Sequence, residues 1–554
     1  MARRTRAVPT LPFRHFLTYA EMEAFLDKLV AARPTLATLH SLGPSREGRQ
    51  VLCLTLTDPA TGPADDKPAY LIHGNIHAAE LSGTHAALYT ARQLLADTPR
   101  KTKLLQRVAF HIVPRLNPDG AEFVATTSGS VRSRTDRSDL PPNTLVQSDL
   151  DGDGLILQMR QQRPDGDWAV DPRDRRLLVR RRPDSKPPFY KVYPEGRIHQ
   201  WDGSDHLAIE GRSIDWNRQW SYDWRPEPEQ GGAGDFPYSE PEMHHLATFL
   251  HAHGNLFGIL GYHTGPAAML RPPSAGSDDD IDEADLRKMN DLARVGARLT
   301  RLPVVPVVRY CRKDSRGANL RGHFPSTGYQ HLGLFVFEFE LGTIMDSAGM
   351  DFDQQMGMLT EQQREAGARR LLRWWDKRGR KPLIYVPWKP FDHPQLGPVD
   401  IGGRVLREWA GMAMADLRTR CAATYKFTLH HAAQHPRVTL EEVEAKAVAR
   451  GIYRIRARVA NRGALPTHIS NRGARLRRLR PVRVEFHPGK GIDVLSHQAH
   501  HSLGHLAGPS GGRLLEWFVR GKKGASCRIA LHGGTGGDTD HTLALPPSPP
   551  RAGG

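Results

Sequence analysis

Residues 70–80 read Tyr70-Leu-Ile-His-Gly-Asn-Ile-His77-Ala-Ala-Glu80, an apolar run that passes through a glycine turn toward a helix. His77 and Glu80 stand three apart there and can hold one metal ion between an imidazole and a carboxylate. Spacing alone is weak, because among 27 histidines chance supplies about one such pair. Its place gives it weight, since ligands of open α/β sheets gather at the carboxyl ends of strands. Two further apolar runs end on suitable groups: Phe257 to His263 on a histidine, and Phe335 to Glu340 on Glu338 and Glu340. A strand-end histidine is more often a core or surface residue than a ligand. Here, however, a His-x-x-Glu site lacks its third ligand, and catalytic zinc takes three protein ligands with a fourth position open to water. Glu338 and Glu340, two apart in a strand, face the same side, so spacing does not choose between them.

A second cluster lies in Asp149-Leu-Asp151-Gly-Asp153-Gly154, with carboxylates at positions one, three and five of a calcium loop and glycine at six. Position twelve is Arg160, where an EF-hand requires a bidentate glutamate, so a complete EF-hand is excluded. Asp149, Asp151 and Asp153 form either a partial Ca2+ site or an Asp-Gly turn held by its own hydrogen bonds.

The elements that must position these groups are legible in outline. Thr18 and Glu21 form a capping box ahead of Met22, Phe25, Leu26, Leu29 and Val30 at helical spacing. Short apolar runs at Val51 to Leu56, Tyr70 to His73 and Val108 to Pro114, with a helical stretch from about Thr84 to Ala96, indicate an α/β sheet. Ser239 to Glu242 reads as the start of another helix, and Thr360 to Trp375 as a later one. From Thr126 to Arg212 the pattern breaks into Pro-, Asp- and Arg-rich sequence, too long for a simple connection, and is expected to be an insertion. Beyond Gly403 the character changes. Tyr453, Ile455, Ala457 and Val459 alternate with arginines, and Val482, Val484, Phe486 and Leu515, Trp517, Val519 repeat the alternation of half-buried strands.

In this order along the chain, from about Phe16 to Trp375, the motifs resemble the carboxypeptidase A-like zinc metallocarboxypeptidase family. Gly74-Asn-Ile-His77-Ala-Ala-Glu80 is similar to its first zinc motif, Asn117-Pro-Asp-Gly120 to its Asn-Pro-Asp-Gly turn, and Ile214-Asp215-Trp-Asn217-Arg218-Gln-Trp220 to its Asp-x-Asn-Arg-Asn-aromatic motif. His263 matches the second zinc histidine, and Glu340-Leu341 the catalytic Glu-Leu pair. The resemblance implies one Zn2+ per chain on His77, Glu80 and His263, with Glu340 as the general base acting on water. It implies an arginine for the oxyanion, assigned to Arg132 with Arg134 as its neighbour and competitor. It assigns Asn217 and Arg218 to the substrate's terminal carboxylate, Asp215 to orienting a zinc-bound imidazole, and Tyr329 to the tyrosine that closes over substrate. Tyr329 lacks the Asp-Trp that commonly precedes that tyrosine, and Gln219 replaces the motif's second asparagine.

The expected architecture is therefore α/β, a mixed central sheet flanked by helices, followed by an all-β sandwich-like carboxy-terminal domain. Its divisions are a basic amino terminus over 1–15, a catalytic domain over 16–385 with insertion 126–212, a linker and helix over 386–425, a β-sandwich over 426–545 and a disordered tail over 546–554. The expected activity is hydrolysis of the terminal peptide bond of a peptide or protein bearing a free carboxylate. The alternatives are a related zinc amidohydrolase acting on peptidoglycan stems or acylated amino acids, and a silent binding protein on the same fold. The net charge is +17, with basic clusters at Arg173 to Arg182 and Arg472 to Arg480. No nucleic-acid motif accompanies them, so a solvated surface is expected and no nucleic-acid partner. No apolar run is long enough to span a membrane, so no membrane partner is expected. Four scattered cysteines without Cys-x-x-Cys spacing, and an amino terminus without a signal-like apolar region, lead to a cytoplasmic expectation. The sequence leaves the oligomeric state open.

Overall fold

The computed structural model describes residues 7–96, 103–133, 140–210, 214–311, 313, 317–358 and 360–547. Arg134 lies outside them. The chain opens with helix α1 (Tyr19–Ala32), and Thr18 caps it in the expected reciprocal box with Glu21. Strands β1 (Ala37–Pro44), β2 (Gln50–Leu56) and β3 (Ala69–Gly74) follow, then α2 (Ser82–Leu94), β4 (Ala109–Val113) and α3 (Pro118–Thr127). After the insertion come α4 (Pro241–Ala252), β5 (Leu256–His263), β6 (Ala268–Arg271), α5 (Glu283–Thr300), β7 (Val304–Pro306), α6 (Phe324–Gln330) and β8 (Phe335–Glu340). Helices α7 (Glu361–Lys377) and α8 (Met414–Ala432) complete this part.

The eight strands form one sheet in the order β1-β2-β4-β3-β5-β8-β6-β7. Its centre, β4-β3-β5-β8, is parallel, and both flanks join it antiparallel, β2 on β4 and β6 on β8. β3, β5 and β8 are buried at every residue, as strands covered on both faces must be. On one face the Tyr70 hydroxyl meets His431 of α8, and Phe337 and Phe339 pack edge-on against Phe427 of the same helix. On the other face His73 stacks edge-on against Phe324 of α6.

Two segments lie elsewhere than the sequence led us to place them. Residues 386–425, expected as a linker and helix, take in nearly all of the antiparallel pair Tyr385–His393 and Gly397–Arg404. The second of these strands pairs with Gln158–Gln162 of the insertion, so the two regions share a six-stranded sheet. α8 belongs to the main core through Leu417, Cys421, Tyr425 and Phe427. The carboxy-terminal strands build two antiparallel four-stranded sheets over Tyr453, Ile455, Phe486, Trp517 and Ile529, and they begin at Val438 rather than at 426, because α8 runs to Ala432 in the main core. Among the described residues, no helix is long and apolar enough to cross a membrane.

Candidate metal centre and active site

The site is assembled at the carboxyl ends of three parallel strands. β3 ends at Gly74, where a Cβ would stand 2.7 Å from the Gly83 carbonyl oxygen, so only glycine lets α2 come so close. Asn75 then takes a left-handed conformation, φ 58°, which asparagine tolerates better than most residues. Its side-chain amide donates to the His77 carbonyl at 2.7 Å and its oxygen accepts from Thr84 at 3.0 Å, and so the turn carrying His77 is locked. From the neighbouring strand comes His263, in register with Glu340 of β8.

His77, Glu80 and His263 are buried and bring their ligand atoms within 4.8 Å of one another. Nδ1 of His77 is 2.8 Å from one Glu80 oxygen, and Nδ1 of His263 is 2.9 Å from the other. Each Nε2 faces a further carboxylate: Asp215 at 3.2 Å from His77, and Glu338 at 3.3 Å from His263. Two imidazoles offering Nδ1 beside a carboxylate, with Nε2 held from behind, are a donor set that fits zinc. Burial alone would raise the Glu80 carboxyl, but the two imidazoles outweigh it and hold the group well below the usual range.

The other predicted residues surround this cluster. Asp215 caps the short turn Trp216–Arg218, accepting from the Asn217 amide at 2.9 Å. Its second oxygen accepts from Arg132 Nε at 3.0 Å and lies 3.3 Å from an Arg218 nitrogen. Although burial raises the Asp215 carboxyl, these two guanidinium groups hold it well below the carboxylate range. Arg132 also reaches Glu80, at 3.4 Å, and its side chain is 42 % exposed. Its backbone is pinned because the Ala78 amide donates to the Arg132 carbonyl at 2.9 Å. The Asn117 side chain holds the next residue, donating to the Ser133 carbonyl at 2.7 Å. Arg218 is nearly buried and donates to the Asn217 carbonyl at 2.8 Å, while Trp220 donates to the Asn217 side-chain oxygen at 3.1 Å.

Glu340 and Glu338 share a face but not a neighbourhood. A Cβ built on Gly265 would lie 2.9 Å from a Glu340 oxygen, whereas one on Gly261 would lie 3.0 Å from Glu338 Cγ. Glu340 is therefore at the mouth and Glu338 one row deeper. Burial raises the Glu340 carboxyl, and the charges of Glu80 and Glu338 push the same way against His263 and Arg132.

Tyr329 is not brought to this site. It lies in α6, facing α5, where its hydroxyl donates to Asp285 at 2.9 Å and accepts from the Asp282 amide at 3.2 Å. The tyrosine against Glu340 is Tyr310, which sequence reasoning missed. Its hydroxyl donates to the Pro266 carbonyl at 3.1 Å and lies against Gly265 beside Glu340. Burial, reinforced by Glu340 and Glu80, pushes the phenol well above its ordinary value, so it stays protonated. Strand-end logic could not find it, because β7, just before it, runs antiparallel to β8.

The carboxylates of Asp149, Asp151 and Asp153 also come within 4.8 Å of one another, in an exposed turn. Asp149 accepts from the Gly152 and Gly154 amides and Asp153 from Leu155, the hydrogen bonding of an Asp-Gly turn, and Arg160 pairs with Asp400. Several arginines of the basic clusters are spent within the chain: Arg176 on Asp174 and Asp376, Arg182 on Glu365, Arg475 on Asp282.

A family model described as zinc carboxypeptidase matches residues 22–346, and a model of a domain of unknown function matches 437–544. Carboxypeptidase B of Astacus astacus is 34 % identical over 108 residues, covering 20 % of this chain and 34 % of that protein. Carboxypeptidase A2 of Rattus norvegicus is 35 % identical over 130 residues, covering 23 % and 30 %. The matched stretches thus span about a third of the length of these two curated relatives. The crystal structure of carboxypeptidase A from Helicoverpa armigera is similar at 16 % identity, over 69 % of this chain and 78 % of that one, with a TM-score of 0.41. Because the first of these models takes in more than half of the sequence, from α1 through β8, the chain belongs to the zinc carboxypeptidase family.

Proposed function

We propose that the protein is a metallocarboxypeptidase that removes the last residue of a peptide or protein bearing a free carboxylate. The observation that carries this reading is the pairing of Glu340 with His263 across adjacent parallel strands, which sets a buried carboxylate beside the His77, Glu80, His263 cluster. Zinc held by those three side chains would supply Lewis acidity, polarising the scissile carbonyl and making water acidic enough to be deprotonated near neutral pH.

The chain's own groups divide the remaining work. Glu340, set beside His263 by the strand register, takes the proton of the attacking water and returns it to the departing amine. Arg132, the exposed guanidinium at the cluster, stabilises negative charge developing on the carbonyl oxygen. Asn217 and Arg218 receive the terminal carboxylate, the Arg218 guanidinium, held by the Asn217 carbonyl and Asp215, supplying the positive charge. Asp215 fixes the His77 tautomer by accepting from Nε2. Tyr310, protonated and beside Glu340, takes the substrate-covering role in place of Tyr329.

The test is mass-spectrometric. Zinc-loaded protein and its Glu340→Gln variant are incubated with a mixed peptide library and with amidated copies. Single residues lost from free carboxyl ends only, and not with the variant, are the expected result. Equal cleavage of amidated copies, or no trimming by the native protein, overturns the reading.

A further inference from the structure

We infer that Glu338 is a positioning residue for His263: it holds the Nε2–H side of that imidazole, so that Nδ1 is presented to the metal as a lone-pair donor. The inference rests on the reading of His77, Glu80 and His263 as the zinc ligands.

The strand register creates the contact. His73 of β3, Gly261 of β5 and Glu338 of β8 occupy one row across the sheet. Gly261 leaves an empty site in that row, where a Cβ would stand 3.0 Å both from Glu338 Cγ and from His73 Nε2. The Glu338 side chain lies over this gap and reaches His263, the residue two positions beyond Gly261 on the same face. Oε1 of Glu338 is 3.3 Å from Nε2 of His263, and both side chains are almost wholly buried, 2 % and 3 % exposed. The contact is at ion-pair distance, and neither of these two atoms makes a hydrogen bond to any other described group. A buried carboxylate oxygen without a hydrogen bond is costly, and an imidazole N–H at ion-pair distance offsets part of that cost.

The arrangement repeats on His263 what Asp215 does for His77 from the other side, at 3.2 Å. Both imidazoles are thus backed by a carboxylate, which selects the tautomer bare at Nδ1, limits ring rotation and makes the ligand more basic. It also gives the two β8 glutamates distinct duties: Glu340 at the mouth acts on substrate, while Glu338 below it never touches the reacting atoms. The competing role for Glu338 is to serve His73, whose two ring nitrogens are also without a partner.

The experiment measures zinc dissociation constants of the full-length protein by competition with a chelating dye, for Glu338→Gln, Glu338→Met, His73→Phe and His263→Ala. Glu338→Met, which keeps the packing volume but offers no oxygen, is expected to bind zinc about 10- to 100-fold more weakly. Glu338→Gln keeps an acceptor and should fall between it and the native protein, while His73→Phe should bind as the native protein does. The proton NMR spectrum of the zinc-loaded native protein should show a slowly exchanging imidazole N–H from His263, absent in Glu338→Met. Native affinity with that signal retained in Glu338→Met overturns the inference, as does a loss in His73→Phe equal to that in Glu338→Met. Should Glu338→Met not fold, native affinity and an unshifted signal in Glu338→Gln overturn it instead. Failure of the ligand reading is distinguishable: His263→Ala would then still bind one zinc as the native protein does.

Discussion

The central α/β sheet and the carboxy-terminal sandwich use burial differently. In the central α/β sheet the polar groups are sunk inside: His73, His111, Glu338, Glu340 and His263 all lie below one tenth exposure. In the carboxy-terminal sandwich the inner face is almost entirely apolar, with Tyr453, Ile455, Val484, Trp517 and Ile529, and the arginines point outward. There Arg456 pairs across strands with Glu516, and Arg458 with Glu442 at 3.0 Å. A sheet covered by helices on both faces has no wet face, so its polar side chains are buried, and those at the strand carboxyl ends line the candidate site. A sandwich sheet has a wet face for charge and a dry one for cohesion.

The sharpest way to break this contrast is to touch the buried carboxylate. Glu340→Gln should lower the turnover rate about a thousandfold, within the range expected for loss of a general base, while zinc content measured by atomic absorption stays near one per chain. A variant that keeps its rate would leave Glu340 as a merely structural acid.

Acid should separate the two regions next. Burial pushes both His111 and His431, in the central sheet and α8, down to about 3. Unfolded, each would titrate near 6.5, so below that pH the unfolded chain binds more protons than the folded one. Their stabilising share is complete above about 6.5 and declines as the pH falls toward 3, by roughly 1.4 kcal/mol per pH unit for each histidine. The sandwich histidines His501 and His505 are also lowered by burial but are only part-buried. Hydrogen exchange at descending pH should therefore show β3 to β5 losing protection before Tyr453 to Val459; the reverse order contradicts the contrast.

Within the sandwich, apolar packing is expected to carry the stability. Trp517 is fully buried and stacked on Phe486, ring centroids 5.4 Å apart. Trp517→Ala should cost about 3–5 kcal/mol in the unfolding of that region, read from denaturant melts, with peptidase turnover of the folded protein unchanged. The smallest effect is expected on its wet face. Arg456→Ala should change stability by less than about 1 kcal/mol, because both partners are about a third exposed and screened. A larger loss would show that the outer face does more than stay hydrated.

Much of the site was legible because its residues sit at local punctuation. His77 and Glu80 follow a glycine turn, His263 and Glu340 end apolar runs, and the Thr18 and Glu21 box lies within four residues. Each is a short-range signal, readable from spacing and strand parity. The sandwich was legible for the same reason, as Tyr453 to Val459 alternate with period two. Tyr310 was not, because what brings it to Glu340 is the reversed direction of β6 and β7 at the sheet edge. A helix was expected within 386–425, but the place of α8 in the main core was not legible, because it rests on packing against α2, α5 and the central sheet. The pairing of the insertion with Gly397–Arg404 joins residues far apart in the chain, and nothing local announces it.

The sequence by itself determined which side chains of the central strands could do chemistry and which stretches alternate between core and water, since both follow from residue type and a period of two or 3.6. Spacing did not separate Glu338 from Glu340, and only the resemblance carried by Glu340-Leu341 favoured Glu340; the tertiary structure sets Glu340 at the mouth and Glu338 behind His263. Glu338 and Glu340 have the same parity and the same chemistry. What separates them is the register of β8 on β5, which sets one against Gly261 and the other against His263, and register is a property of two strands together.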